Sequence, residues 1–286
     1  MNIIDCQKIR EEILKEAKIK LTKIFGFKGI VTKLVIVQVE GDFASDIYIK
    51  NKIKTAEECG IEVEHIKLPN DIKLNDLRRV IISANNDMSV TGIMLQLPLP
   101  EHLKKYEQSV IDLISYKKDV DGLTTESIGR LWTNKSCLKP CTAEGVMRLL
   151  PQDLSGKTVV IINRSSLVGK PLIKMIIDKN GTPIVCHSKT NKGDLEHLID
   201  YADIIITAVG IPKFINKENF SYEDKKIIID VAINKLEGKL CGDVDLKSIK
   251  EINNFEIDVT PTPNGTGILT TAQLMLNVAL AYELQQ

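Results

Sequence analysis

Residues 157–171 read KTVVIINRSSLVGKP. The apolar run Val159 to Ile162 is a strand with no polar face, the composition of a strand covered on both sides. Asn163, Arg164, Ser165 and Ser166 then form a polar turn. From Gly169 the chain continues as GKPLIKMIID, with the spacing of a helix. Strand, turn and helix in that order make one step of a parallel α/β sheet. The first N–H groups of such a helix point outward and can hold a phosphate.

The same alternation runs downstream in TPIVCHS, ADIIITAVG and KKIIIDVAI, each a strand. NFEIDVTPTPNGTGILT ends in a glycine-containing loop, and TAQLMLNVALAYELQQ closes the chain as a helix. The pattern is that of a Rossmann-type domain, although the usual G-x-G-x-x-G is replaced by Asn163, Ser165 and Gly169. An NAD site places a carboxylate at the end of the second strand, about 20 residues on, to hold the ribose hydroxyls. Here that strand ends in Cys186-His187-Ser188-Lys189, and Arg164 sits in the phosphate turn. Guanidinium, imidazole and hydroxyl groups suit a 2′-phosphate, so NADP is expected over NAD. Ala208-Val209-Gly210 and Asp230-Val231-Ala232 should lie along the carboxyl edge of the sheet, where ligands bind. Asn264-Gly265-Thr266-Gly267 supplies permissive backbone for close approach.

Upstream, a helix is expected from Asp5 to about Lys23 and a buried strand over residues 33–41. The following helix carries Ser45, Tyr48 and Lys52 on one face and stops at Gly60. IEVEHIKL and TGIMLQLPLP read as strands, with NDLRRVIISANND a helix between them. The alternation pauses over residues 117–141 and resumes with a helix from Ala143 to Leu150, capped by Thr142. The fold class is therefore α/β in two domains, with a boundary near residue 140 and no internal repeat.

Of 286 residues, 38 are Lys or Arg and 38 are Asp or Glu, so the formal net charge is zero. A nucleic-acid partner would need a net basic footprint, and none is present. No apolar run reaches membrane-spanning length. The six cysteines form no C-x-x-C pair, and the four histidines complete no zinc pattern. No metal site is expected, and free thiols in a reducing, cytoplasmic compartment are.

A hydroxyl, a phenol and an amine on one helix face can form an acid/base relay, and burial makes an amine a readier base. The alternative is a solvated face, since Lys50 and Lys54 share the helix. Gln96 is polar in an apolar run, so it is buried and paired or faces a site. Asp121, in KKDVDG, can hold the donor edge of a heterocycle in a two-point contact or merely form the turn before Gly122.

ASDIYIKNKIKTAEECGI, GIMLQLPLP, KDVDG, PCTAEG, NRSSLVGKP, CHSKT, ADIIITAVG, IDVAIN, GDVD and TPTPNGTG occur in this order over nearly the whole chain. Together they resemble the bifunctional methylenetetrahydrofolate dehydrogenase/cyclohydrolase family. The resemblance implies NADP-dependent oxidation of 5,10-methylenetetrahydrofolate to the methenyl form, then hydrolysis to 10-formyltetrahydrofolate. It implies a folate-binding catalytic domain over residues 1–140, completed by a C-terminal helix 270–286, and a Rossmann-type NADP-binding domain over 141–269. It assigns Lys52 as general acid/base, Gln96 as the residue that hydrogen-bonds and tunes it, Tyr48 as stacking on or hydrogen-bonding near the pterin to orient it, and Asp121 as pterin anchor. Ser45, Leu97, Pro98, Pro263 and Gly267 complete the implied folate contacts. Arg164, Ser165, His187 and Ser188 match the cofactor's phosphate region. Asn163, Val168, Gly169, Pro171, Ala208, Val209, Gly210, Ala232 and Ile233 complete the implied cofactor contacts. It also implies a homodimer.

The chain departs from the family pattern in places. Asn163 stands where glycine is usual, and is the non-glycine residue most tolerant of a left-handed backbone. PCTP becomes PCTA, DVG becomes DVA, and PGGVGPMT becomes PNGTGILT. A shikimate-dehydrogenase-type oxidoreductase and a nucleotide-sensing protein are the competing readings. The first would carry clustered glycines in the phosphate turn, and the second has no need of Tyr48, Lys52, Gln96 and Asp121.

Overall fold

The computed structural model describes residues 1–41, 43–221, 224–253 and 256–286, without the side chains of residues 43–45. The chain forms two compact units. One comprises Glu11–Cys141 and Thr271–Gln286; the other comprises Met1–Arg10 and Thr142–Thr270. The chain opens with β1 (Asn2–Ile3) and α1 (Cys6–Lys28). β1 pairs in parallel with a strand near the C-terminus, which is why the first ten residues count with the second unit and not with residues 11–140 as expected.

The first unit continues with β2 (Lys33–Val39), α2 (Phe43–Glu58), β3 (Glu62–Leu68), α3 (Leu74–Asn86) and β4 (Val90–Leu95). Short helices α4 (Glu101–Lys104) and α5 (Glu107–Ile111) lead to α6 (Thr125–Trp132). The strands form a parallel sheet in the order β3-β2-β4. All but the first residue of β2, and all of β4, are buried, as their apolar runs require, whereas β3 is an edge strand with charged residues outward. Leu77, Ile81 and Ala84 of α3 pack on this sheet with Val35, Val37, Ile93 and Leu95. α2 ends before Gly60, which takes φ +77° as expected of a helix stop.

The second unit carries α7 (Cys141–Met147), β5 (Thr158–Ile162), α8 (Gly169–Asp178), β6 (Thr182–Cys186), α9 (Lys192–Tyr201), β7 (Ile204–Thr207) and β8 (Lys226–Asp230). β9 (Asn234–Leu236) and β10 (Lys239–Cys241) form an antiparallel ribbon. α10 (Leu246–Lys250) and β11 (Ile257–Val259) precede α11 (Thr266–Gln285). The main sheet is parallel in the order β1-β11-β8-β7-β5-β6. β5 and β7 are adjacent while β6 lies on the other side of β5, so the order reverses there. The crevice at the carboxyl ends of β5 and β7 is the topological switch point where α/β sheets bind ligands.

Three expectations change. Thr142 lies inside the first turn of α7 and is not its N-cap. α11 starts at Thr266, so Gly267 belongs to a helical turn; the left-handed residue of this loop is Asn264, at φ +68°. Asn163 is not among the residues with positive φ, so tolerance of a left-handed backbone does not explain it.

Candidate active site

β2 and β4 run parallel, so their carboxyl ends emerge together. α2 follows β2, and Gln96 follows β4, extending the ladder by donating its N–H to Val37 O at 2.8 Å. Half-buried Lys52 donates from Nζ to Gln96 Oε1 at 3.0 Å and approaches Met94 Sδ at 3.4 Å. Gln96 Nε2 donates to Leu97 O at 2.6 Å, which fixes the amide with its oxygen toward Lys52. Tyr48, one helical turn from Lys52, is 44% exposed. Among the described residues the bonds of Lys52 run to Gln96 and Met94 and not to Tyr48, so the expected direct Tyr48–Lys52 link is not formed. The Ser45 side chain lies outside the described residues. Leu97 is half-buried and Pro98 exposed.

Asp121 reaches this edge because residues 118–121 run alongside β4. Ile93 N–H donates to Lys118 O at 2.7 Å, and Ile93 bridges Asp119 in parallel. Gly92 makes this approach possible, since a Cβ there would strike Val120 Cγ1. Asp119, 1% exposed, does the structural work: its carboxylate accepts from Leu123 N at 3.1 Å, Thr124 N at 2.8 Å and Ser127 Oγ at 2.7 Å. Asp121 takes no part in these three bonds. Burial pushes its carboxyl up from the usual range, with the Lys52 charge opposing and Asp119 assisting. Its side-chain partner is the Cys141 thiol.

In the second unit, Asn163 at the end of β5 uses its side chain to build the turn. Nδ2 donates to Ala208 O at 2.7 Å across the switch point, and Oδ1 accepts from Ser165 N at 2.8 Å and Gly169 N at 3.1 Å. Gly169 is obligatory, because a Cβ would overlap Asn163. Val168 and Pro171 are buried beside it, and Ser165 Oγ accepts from Val168 N at 3.2 Å. At the β6 end, His187 Nδ1 accepts from Lys189 N at 3.1 Å, which leaves Nε2 as the ring's donor. Arg164, Ser188 and Lys189 are exposed, and residues 187–190 after β6 include no carboxylate. This donor set fits the extra phosphate of NADP.

Two aspartates frame the remaining strand ends. Asp243, fully buried, accepts from Thr207 Oγ1 at 2.9 Å, Val209 N at 2.7 Å, Ile211 N at 3.0 Å and Asn234 Nδ2 at 3.0 Å. It fixes the Ala208-Val209-Gly210 turn, in which Gly210 takes φ +74°. Asp230 accepts from Ala232 N at 3.2 Å and Val244 N at 2.9 Å, yet burial pushes its carboxyl up to about 6. Exposed Ile233 lies against Gly267, whose added Cβ would be 3.4 Å from Ile233 Cδ1. Pro263 is exposed. The sequence motif GDVD was quoted above without a task for Asp243. Among the described residues no group of acidic, histidine and cysteine side chains could hold a metal ion.

Two family models match the chain. The catalytic-domain model of tetrahydrofolate dehydrogenase/cyclohydrolase covers residues 4–121, and the NAD(P)-binding-domain model of the same family covers residues 140–286. The chain belongs to the tetrahydrofolate dehydrogenase/cyclohydrolase family. A relative from Agathobacter rectalis, bifunctional protein FolD, is 40% identical over 281 residues, 96% of this chain and 97% of that protein. The fold matches the bifunctional FolD methylenetetrahydrofolate dehydrogenase/cyclohydrolase of Campylobacter jejuni with a TM-score of 0.92 at 36% identity, over 100% of both chains. It also matches the Trypanosoma brucei methylenetetrahydrofolate dehydrogenase-cyclohydrolase, solved with NADP cofactor and an inhibitor, with a TM-score of 0.88 at 27% identity, over 98% of this chain and 97% of that one. Family membership accounts for a two-domain α/β chain with a nucleotide turn in one unit and the Lys52–Gln96 pair in the other.

Proposed function

We propose that this chain oxidises 5,10-methylenetetrahydrofolate with NADP and hydrolyses the resulting methenyl form to 10-formyltetrahydrofolate. The observation that carries the reading is the Lys52–Gln96 pair, with Nζ 3.0 Å from an amide oxygen whose orientation is locked by Leu97 O. NADP, when bound, supplies the hydride acceptor. Arg164, Ser165, His187 and Ser188 would hold its phosphate region, and the turns framed by Asn163 and Asp243 would present backbone to the rest. The protein's part in the oxidation is alignment of two rings, which needs no acid or base.

Hydrolysis does need proton transfer. Lys52 in its amine form takes a proton from water as the oxygen bonds to the methenyl carbon. The bond from that carbon to the pterin ring nitrogen then breaks, the nitrogen acquires a proton, and one proton is released overall. Gln96 aims the amine, Tyr48 lines the approach to it, and Asp121 receives the donor edge of the pterin. Ser45, Leu97, Pro98, Pro263 and Gly267 are the further folate contacts of this reading. Val168, Gly169, Pro171, Ala232 and Ile233 are its further cofactor contacts.

The reading includes a homodimer and a cytoplasmic location, with no nucleic-acid or membrane partner. The β9–β10 ribbon supports the first, with Leu236 and Leu240 exposed on an unextended two-stranded sheet. No described helix is long and apolar enough to cross a membrane. The test is reduced-nicotinamide absorbance on mixing the protein with methylenetetrahydrofolate and NADP, then NAD, followed by decay of the methenyl chromophore. Reduction of NADP with subsequent methenyl decay is expected; absence of both contradicts the proposal.

A further inference from the structure

The aim of Asp121 is set by what clamps residues 120–122 to residues 139–141. The two segments are in tight contact: a Cβ on Gly122, at φ +69°, would meet the Lys139 carbonyl and Pro140 N. Cys141 N–H donates to Asp121 O at a long 3.4 Å, and the Cys141 thiol lies within reach of both Val120 O, at 3.2 Å, and the Asp121 carboxyl.

One side chain spans the seam. Asn277, on α11 and 1% exposed, donates from Nδ2 to Val120 O at 2.8 Å and to Lys139 O at 3.0 Å, and lies 3.4 Å from Cys141 Sγ. Its two amide protons thus satisfy one carbonyl on each side of the turn. The amide is held in this orientation by Gln273, one helical turn earlier, whose Nε2 donates to Asn277 Oδ1 at 3.0 Å. Gln273 is itself 2% exposed, and its own Oε1 has no partner among the described residues. A buried acceptor left without a donor is costly. The arrangement is explained if Gln273 is held for the bond it makes to Asn277.

We infer that Asn277 is a positioning residue for the folate reaction, acting through Asp121, with Gln273 setting its amide. It touches neither substrate nor cofactor. This rests on the proposed role of Asp121 as pterin anchor. Removal of the clamp lets the 120–122 turn relax, and folate binding loses the aim of its two-point contact while NADP binding is untouched.

The experiment compares wild type, Asn277→Ala, Gln273→Met, Asp121→Asn and the Asn277→Ala/Asp121→Asn double variant. Folate KM, kcat, tetrahydrofolate Kd and NADP Kd are measured on protein shown to be folded by circular dichroism. Asn277→Ala is expected to raise folate KM and tetrahydrofolate Kd about tenfold, the effect of one lost hydrogen bond, in both activities and with NADP Kd unchanged. Gln273→Met should shift them the same way by a smaller factor, and serves if Asn277→Ala does not fold. In the double variant the Asn277→Ala effect should vanish, because the side chain it aims is already disabled. A purely structural role would lower the active fraction, and so apparent kcat, at constant KM. Unchanged folate KM in folded Asn277→Ala or Gln273→Met, or a full additional loss in the double variant, overturns the inference. Wild type that binds no tetrahydrofolate overturns the functional proposal itself, and with it this role; that failure appears before any variant is compared.

Discussion

At the residue scale, the buried carboxylates differ in how far their donors offset burial. Asp119 and Asp243 are saturated with donors, whereas Asp121 and Asp230 are pushed upward by burial. Asp230 makes a pH prediction. Its folded-state value, about 6 against an ordinary 3.8, means the folded protein keeps a proton that the unfolded chain has lost. Stability should therefore fall as pH rises through that window, by about 3 kcal/mol for this group. Asp230→Asn removes the titration, so its stability relative to wild type should improve by about that amount between pH ~4 and pH ~6.5. Denaturant unfolding across the window measures it, and parallel curves for the two proteins would refute the assignment. Little of this was legible in the sequence. KDVDG presents two aspartates two residues apart, and only the bridge to Ile93 decides which one ties down the loop before α6. At Asn163 the residue was noticed for its backbone tolerance, yet its side chain is what builds the turn. A side-chain role of that kind depends on Ala208 O, 45 residues away, and leaves no local trace.

At the element scale, both units end a helix on a buried lysine. Lys118 Nζ donates to Asn85 O at 2.9 Å and Asp87 O at 2.7 Å at the end of α3. Lys226 Nζ donates to Asp200 O at 2.6 Å and Ala202 O at 3.0 Å at the end of α9. Burial lowers the value of both ammonium groups. Each charge is tolerated because the last carbonyls of a helix carry partial negative charge and otherwise lack partners. Lys226→Met relieves a buried charge but orphans two carbonyls, so a net loss of about 2 kcal/mol is expected. Faster amide exchange confined to α9 should accompany it; unchanged stability and exchange would show that the carbonyls find other donors. In sequence these lysines are hidden. Each is the second of a Lys-Lys pair whose first member is more exposed, and composition does not say which one turns inward. The strands themselves were easier to read, because VVII, IIIT and LVIV admit no polar face. The β9–β10 ribbon, only three residues a side with exposed leucines, offered no such pattern.

At the scale of the whole molecule, the two units share one principle: parallel strands deliver polar side chains to their carboxyl ends. In one the delivered groups are Gln96 and the start of α2; in the other they are Asn163, His187 and the Asp243-held turn. The sequence carried this division because alternating apolar runs and helices mark parallel units wherever they occur. It did not carry the N-terminal exchange, in which β1 adds to the far edge of the second sheet, since a two-residue strand has no pattern of its own. On the proposed reading, the division separates proton chemistry from nucleotide binding. Lys52 lies in one unit and the phosphate turn in the other. The most direct measurement is methenyl hydrolysis and NADP affinity in Lys52→Met, a variant that keeps the apolar stem and removes the amine. Hydrolysis should fall about a hundredfold or more, the scale of a lost general base, with NADP Kd unchanged. Hydrolysis at the wild-type rate would contradict the assignment of Lys52 and the functional account built on it.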